Sequence, residues 1–299
     1  MSYASEVKKE IVGQESEGCC KFAQLYAMML FGHCFSLKEI GILTKHKAVA
    51  EEYSRLLFEV FGVSVPIITT KGGRYSVYLE NKRTCTGIYN CCGYSRPIAT
   101  TINFENLEND CCKIAFIKGA FLTSGTITNP EKSYHFEISS VCDSIAKGLL
   151  SVFRECSDIY NKENFIDHEI YAKLGNRKGI PFLYIKDSQS IETMLALLGA
   201  DIAAIQLIRT KIGKDIKNNV IRKTNLDIAN IGRTADASGK YTEAIKRKLA
   251  DGSFKNLSPS LQELAMLKYE NPEMTLNDLA KKFNLTRSAV NYRLNKLLK

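Results

Sequence analysis

Lys21-Phe-Ala-Gln-Leu-Tyr-Ala-Met-Met-Leu-Phe-Gly32 and Lys113-Ile-Ala-Phe-Ile-Lys-Gly-Ala-Phe-Leu-Thr-Ser124 are the two stretches whose reading decides the fold. Each is an apolar helix that turns at once into extended chain, and their equivalent ends, Gly32 and Ser124, lie 92 positions apart. Two unrelated core helices would explain each stretch singly. They would not explain why the same order of elements follows both.

After the first helix, residues 34–44 read as extended, 48–61 as an amphipathic helix, and 63–70 with 75–79 as a hairpin across Lys71-Gly-Gly-Arg74. The second stretch repeats the series: 125–129 and 134–139 flank the turn Pro130-Glu-Lys132, and 142–155 is helical. Extended pieces near 165–174 and 181–186 follow, then a helix over 190–198. The expectation is an α+β fold in which residues 1–205 form a duplicated αββαββα domain, with repeats at about 19–105 and 111–200 related by a pseudo-twofold axis. The opening helices should pack on each other at its centre, since Ala27, Gly119 and Ala120 are small enough for two backbones to come close.

Beyond residue 201 the strand signal vanishes and the charge changes. Residues 205–299 hold 19 of the 41 basic and 9 of the 32 acidic side chains, so they carry the whole net charge of +9 and slightly more. Clustered Lys and Arg on helix-forming sequence point to phosphates as partners, because they displace counterions condensed on nucleic acid; a solvated basic face has the same composition. Residues 206–256 read as a basic helical linker, with Arg222 and Lys223 as candidate phosphate contacts, and Gly252-Ser253 marks a turn before the last module.

That module, residues 257–299, parses into three short helices. The first covers 260–269 and is stopped by Pro272; Thr275 N-caps the second, 276–283, with Asp278 completing the cap. Asn284 can supply the left-handed residue of a tight turn, and Thr286 caps a third helix over 287–298. Leu276, Leu279, Ala280 and Phe283 share one face of the second helix, and Val290, Leu294 and Leu297 one face of the third. Each helix has a single apolar stripe, so the three must fold as a unit. Thr275, Thr286, Arg287, Ser288, Asn291, Tyr292, Arg293, Asn295 and Lys296 are then the candidate DNA-contacting residues of a helix-turn-helix. Arg and Asn near a helix start can pair with guanine and adenine edges in a major groove, and Arg293 and Lys296 suit phosphates. A three-helix bundle that binds protein is the alternative.

Other classes find little support. A composition 45% hydrophobic and 24% charged over 299 residues argues against disorder and allows two cored domains. No signal peptide or bilayer-spanning run is evident, so a cytoplasmic, nucleoid-associated protein with no membrane partner is expected. Ten cysteines then read as reduced thiols. The adjacent pairs Cys19-Cys20, Cys91-Cys92 and Cys111-Cys112 lack Cys-x-x-Cys spacing and read as buried small apolar side chains, with a metal or redox site on Cys85, Cys91 and Cys92 the weaker alternative. No phosphate loop, zinc-protease helix or nucleophile elbow occurs. Glu39, Glu131 and Glu137 read as surface charges, and His135 as a packed or DNA-facing side chain. No catalytic residue, cofactor or metal is expected.

The stretch Gly119-Ala-Phe-Leu-Thr-Ser-Gly125, continuing Thr-Ile-Thr-Asn-Pro-Glu-Lys-Ser-Tyr-His-Phe-Glu137, closely resembles the WhiA family of bacterial DNA-binding regulators. Asn218-Asn-Val-Ile-Arg222 and Thr224-Asn-Leu-Asp-Ile-Ala-Asn230 look like that family's linker, and Glu270-Asn-Pro272 with Ser288-Ala-Val-Asn-Tyr-Arg293 like its terminal module. The resemblance covers essentially the whole chain. It implies the fold of LAGLIDADG homing endonucleases joined to a helix-turn-helix, and transcriptional control of cell division, chromosome segregation or, in some relatives, sporulation. In the endonucleases an acidic residue ends each central helix and holds divalent metal over the scissile phosphates. The matching positions here are Gly32 and Ser124, so a non-catalytic regulator of double-stranded DNA is expected. A scaffold that binds another regulator or a division protein, or a nuclease with unconventional ligands, are the alternatives.

Overall fold

The computed structural model describes residues 2–14, 17–164 and 169–298. It comprises two compact units, Met1–Gly213 and Lys214–Lys299.

In the first unit the repeat is explicit. Helix α1 (Tyr3–Ile11) precedes α2 (Gly18–Leu30), strands β1 (Cys34–Phe35) and β2 (Ile40–Thr44), helix α3 (Lys47–Phe61), strands β3 (Ile68–Thr69) and β4 (Tyr75–Leu79), and helix α4 (Lys82–Cys91). The second half runs α5 (Asp110–Ser124), β5 (Gly125–Ile127), β6 (Phe136–Ser139), α6 (Asp143–Asn164), β7 (Lys173–Arg177), β8 (Ile180–Ile185) and α7 (Ser188–Leu197). Each half builds a four-stranded antiparallel sheet with the same order, β1-β2-β4-β3 in one and β5-β6-β8-β7 in the other. Register follows the alternation of apolar side chains. Ile40 and Ile42 lie opposite Leu79 and Val77, Phe136 and Ile138 opposite Ile185 and Leu183, and all eight are buried.

The core lies where α2 and α5 cross. Every residue of α2 from Ala23 to Leu30 is buried, as suits a helix apolar all round. The helices pack tightly at Gly119, where an added Cβ would stand 2.1 Å from the carbonyl oxygen of Gln24 and 2.9 Å from Cβ of Ala27. Buried Gln24 donates to Glu52 at 3.0 Å, and Glu52 accepts from Arg55 at 2.8 Å and 3.0 Å, so the Glu52 carboxylate beside the helix is paired.

Several elements differ from the sequence reading. Helices α1 and α4 were not anticipated: α1 buries Tyr3, Val7 and Ile11 at i, i+4 spacing, and α4 is short, carries Thr84, Thr86 and Gly87, and is held by an Asn81 cap. The extended stretch 34–44 is the hairpin β1–β2, turned at Ser36, whose hydroxyl accepts from the backbone of Glu39 at 3.2 Å. Of residues 63–70 only Ile68–Thr69 pair as strand. The expected extended piece near 165–174 supplies β7, its residues 165–168 lying outside those described.

Helix α8 (Asp201–Ala250) is 50 residues long and contains the boundary between the units. Its start belongs to the first unit: Ala203, Ala204 and Leu207 enter that core, and Glu10 of α1 accepts the backbone N–H of Ile202 at 2.6 Å and of Ala203 at 3.3 Å. In the second unit Tyr241 and Ile245 of α8 join Phe254 and helices α9 (Pro259–Glu270), α10 (Leu276–Lys282) and α11 (Arg287–Asn295) around a separate core of Leu261, Leu264, Leu279, Val290, Leu294 and Leu297. The expected third helix ends at Asn295 and continues as a 3₁₀ turn, Lys296–Leu298. Among the described residues no helix is long and apolar enough to cross a membrane.

Candidate nucleic-acid interface

The turn between α10 and α11 is built from three local devices. Thr275 and Asp278 form a reciprocal capping box: the Thr275 hydroxyl accepts from the Asp278 N–H at 3.3 Å, and the Asp278 carboxylate accepts from the Thr275 N–H at 3.1 Å. These bonds from Thr275 hold the Asp278 carboxyl below the usual carboxylate range. Asn284 takes the left-handed conformation, with φ of 50°, and reverses the chain. Thr286 then accepts the N–H of Ala289 at 3.2 Å and starts α11. The two threonine hydroxyls named as candidate contacts are thus engaged in capping, although both residues are exposed.

On α11, Val290 and Leu294 are buried against α10 and α9, which fixes the roll of the helix. Arg287, Ser288, Asn291, Tyr292 and Asn295 are exposed, Lys296 follows in the 3₁₀ turn, and Arg293 is half-buried. The Lys296 ammonium lies 4.9 Å from the Tyr292 ring centre, so Tyr292 supports it by a cation–π contact. Asn291 and Asn295 are exposed but not unengaged. Their Oδ1 atoms lie 3.4 Å and 3.1 Å from the hydroxyl of buried Tyr241 on α8, which donates to them. That leaves the amide N–H₂ of each residue as its outward donor.

The linker candidates Arg222 and Lys223 are exposed on α8. Farther along the same helix, Asn230, Arg233, Ala237 and Tyr241 form one wall of a groove of about 450 Å³ whose other side carries Thr275, Asn277 and Arg287. Arg233 and Asn277 were not singled out from sequence. The signal for Arg233 was its i, i+4, i+8 spacing with Ala237 and Tyr241, the stripe by which α8 faces the final module. The groove floor is held by Lys268, buried on α9, whose ammonium donates to the carbonyls of Pro272 at 2.7 Å and Met274 at 2.6 Å; Ser238 donates to the same Pro272 carbonyl at 2.6 Å. Burial lowers the Lys268 pKa.

In the first unit, Gly32 and Ser124 stand at the ends of the two central helices. A Cβ on Gly32 would lie 2.9 Å from the carbonyl oxygens of both Gly41 and Met28, so a carboxylate side chain has no room there. The Ser124 hydroxyl donates to the carbonyls of Ser139 at 2.8 Å and Ala120 at 3.2 Å. Both positions are therefore committed to the hairpins beside them. Among the nearby acids, the reading of Glu137 as a surface charge is corrected: it is buried on β6, accepts from Arg177 at 2.9 Å and lies 3.0 Å from His135 Nε2. Strand alternation hides this pairing because Arg177 comes from β7, 40 residues away. Glu39 is half-buried beside Cys34, and Glu131 is exposed.

The reading of the adjacent cysteines as buried apolar side chains holds for Cys20, Cys92 and Cys112 but not for Cys19, Cys91 and Cys111, which are exposed. Cys85 is buried and donates to the Leu79 carbonyl at 3.2 Å.

Two family models match. The WhiA LAGLIDADG-like domain matches residues 113–217, and the WhiA C-terminal HTH domain matches residues 220–299. The chain is 28% identical over 312 residues to a probable cell division protein WhiA of Oceanobacillus iheyensis, covering 99% of this chain and 96% of that protein. It is also 28% identical over 312 residues to the probable cell division protein WhiA of Bacillus subtilis, covering 99% and 95%. The crystal structure of full-length DUF199/WhiA from Thermatoga maritima aligns over 100% of this chain and 97% of that one, with a TM-score of 0.58 and 21% identity, a likeness of fold. Consecutive matches to both WhiA domains, relatives spanning the full length and a shared fold lead to one conclusion: the chain belongs to the WhiA family, with an N-terminal LAGLIDADG-like domain and a C-terminal helix-turn-helix domain.

Proposed function

We propose that this protein is a non-catalytic, sequence-specific DNA-binding regulator, acting in transcriptional control linked to cell division and chromosome segregation. The observation that carries the reading is α11: a helix of a helix-turn-helix whose packed face is Val290 and Leu294 and whose exposed face is Arg287, Ser288, Asn291 and Asn295. In this reading Arg287 and Asn291 contact base edges, while Arg293, Lys296, Arg222 and Lys223 contact phosphates. Thr275 and Thr286 present helix N-termini to the backbone of the duplex. Relatives that carry the name of a cell division protein support the cellular assignment. The site acts inside the cell on the nucleoid, and no cofactor is required.

A non-catalytic role is favoured by Gly32 and Ser124, which offer no carboxylate where a metal-dependent nuclease of this fold needs one. The experiment is a genome-wide map of bound sites followed by binding of the full chain to a recovered site and to scrambled duplex at several salt concentrations. Affinity should fall steeply with salt. Arg287→Ala should weaken the recovered site by about 1–3 kcal/mol and leave scrambled duplex little changed. Equal loss on both duplexes would remove base readout from Arg287, and cleavage of plasmid with magnesium or manganese would overturn the non-catalytic assignment.

A further inference from the structure

The two central helices begin alike. Cys19 and Cys20 lie in the first turn of α2, and Cys111 and Cys112 in the first turn of α5. Each cysteine is displaced from its mate by 92 positions, the same period that separates Gly32 from Ser124. The pseudo-twofold relation between the helices therefore carries one dithiol onto the other, and the crossing brings them face to face. The Sγ of Cys19 is 4.0 Å from that of Cys20 and 3.9 Å from that of Cys111, and all four sulfurs lie within 4.8 Å of one another.

Sulfurs bound at about 2.3 Å around one tetrahedral zinc ion stand about 3.8 Å apart, so this arrangement is within roughly 1 Å of a finished coordination shell. The donor set is all soft thiolate, which selects zinc over the hard oxygen-seeking cations. A polynuclear iron–sulfur core places irons and sulfides between its cysteines; sulfurs this close leave room for a single ion. Two of the thiols are exposed and two are buried, giving an entry side and a closed side. Neither helix has a side chain capping its N-terminus, so two positive dipole ends favour the negative charge that a tetrathiolate site retains.

We propose that Cys19, Cys20, Cys111 and Cys112 bind one zinc ion as a tetrahedral tetrathiolate that clasps the N-terminal ends of the two central helices. Binding exchanges four S–H bonds for four Zn–S bonds, releases four protons and leaves the site with a net charge of −2; no electron is transferred. The clasp closes a long loop between the repeats and so should act mainly on stability of the first unit.

Full-length protein purified under reducing conditions from zinc-containing medium is expected to carry one zinc per chain, released when a mercurial titrates the thiols. Cobalt(II) in place of zinc should give the intense red-region absorption and near-ultraviolet sulfur-to-cobalt bands of a tetrathiolate. Cys19→Ser alone should weaken or distort that spectrum, and Cys19→Ser with Cys111→Ser should abolish it; both residues are exposed, and circular dichroism checks that the variants fold. Cys91→Ser with Cys142→Ser should leave it intact. Failure of the reduced parent protein to take up cobalt, or a parental cobalt spectrum in the double variant, would overturn the proposal.

Discussion

The hydroxyl of Tyr241 stands 3.1 Å from Oδ1 of Asn295, joining the long helix α8 to the last helix of the molecule. Tyr241 is buried, so this oxygen also sets which way the asparagine amide faces. Tyr241→Phe keeps the packed ring and removes the donor. It should lower the unfolding free energy of the second unit by about 1 kcal/mol and reduce discrimination between specific and scrambled duplex more than it reduces total affinity. Denaturant melts and paired binding isotherms measure the two effects; unchanged discrimination would show that Tyr241 only packs.

Lys268 is the polar post under the turn that leads into α10. Its ammonium serves two carbonyls, Pro272 and Met274, from within the core. Lys268→Met should fill the same space, leave the Met274 carbonyl without this donor and leave the Pro272 carbonyl to Ser238 alone, at a cost of about 1–3 kcal/mol. Amide hydrogen exchange should show the loss concentrated between Asn271 and Thr275, and protection there equal to the parent protein would refute the assigned role.

Gly119 and Gly232 make a matched pair because both are helical and only one is crowded. At Gly119 a methyl group meets the Gln24 carbonyl, whereas at Gly232 it meets nothing within 4 Å. Gly119→Ala should destabilise the first unit by about 1–3 kcal/mol or more through forced separation of α2 and α5. Gly232→Ala should instead stabilise α8 by about 0.5–1 kcal/mol. Thermal melts of the two variants should therefore move in opposite directions.

Lys8 gives a pH test. It is buried on α1 with its ammonium 5.6 Å from the centre of the Phe121 ring, and burial lowers its pKa from 10.5 to about 8. Between those two values the unfolded chain binds the proton and the folded chain does not, so stability rises with pH across that window. Below about 8 both states are charged and the folded protein bears the full burial cost. Lys8→Met should accordingly be more stable than the parent protein at neutral pH, on the order of a few kcal/mol, with the difference shrinking to near zero by about pH 10.5. A difference independent of pH would show that folding does not shift the Lys8 pKa.

Local signals were legible where a segment's own chemistry dictates its shape. The Thr275–Asp278 box, the left-handed Asn284 and the Thr286 cap were readable because each device is complete within four residues. Helix α1 was missed because its apolar residues are few and spaced among charges. The buried state of Glu137 was missed because its partner Arg177 is on another strand.

From sequence alone came the 92-residue repeat, the segregation of positive charge beyond residue 205 and the capped helices of the final module, all of which are patterns of residue type along the chain. Tertiary structure alone decided that two cysteine pairs meet, that Tyr241 reaches Asn291 and Asn295, and that Arg233 shares a groove with Arg287. The physical reason is that periodicity specifies which face of a helix is apolar, whereas the side chain opposite that face is chosen by how two helices cross, and the crossing is set by close-packed contacts such as Gly119 on Gln24 that no spacing along the chain encodes.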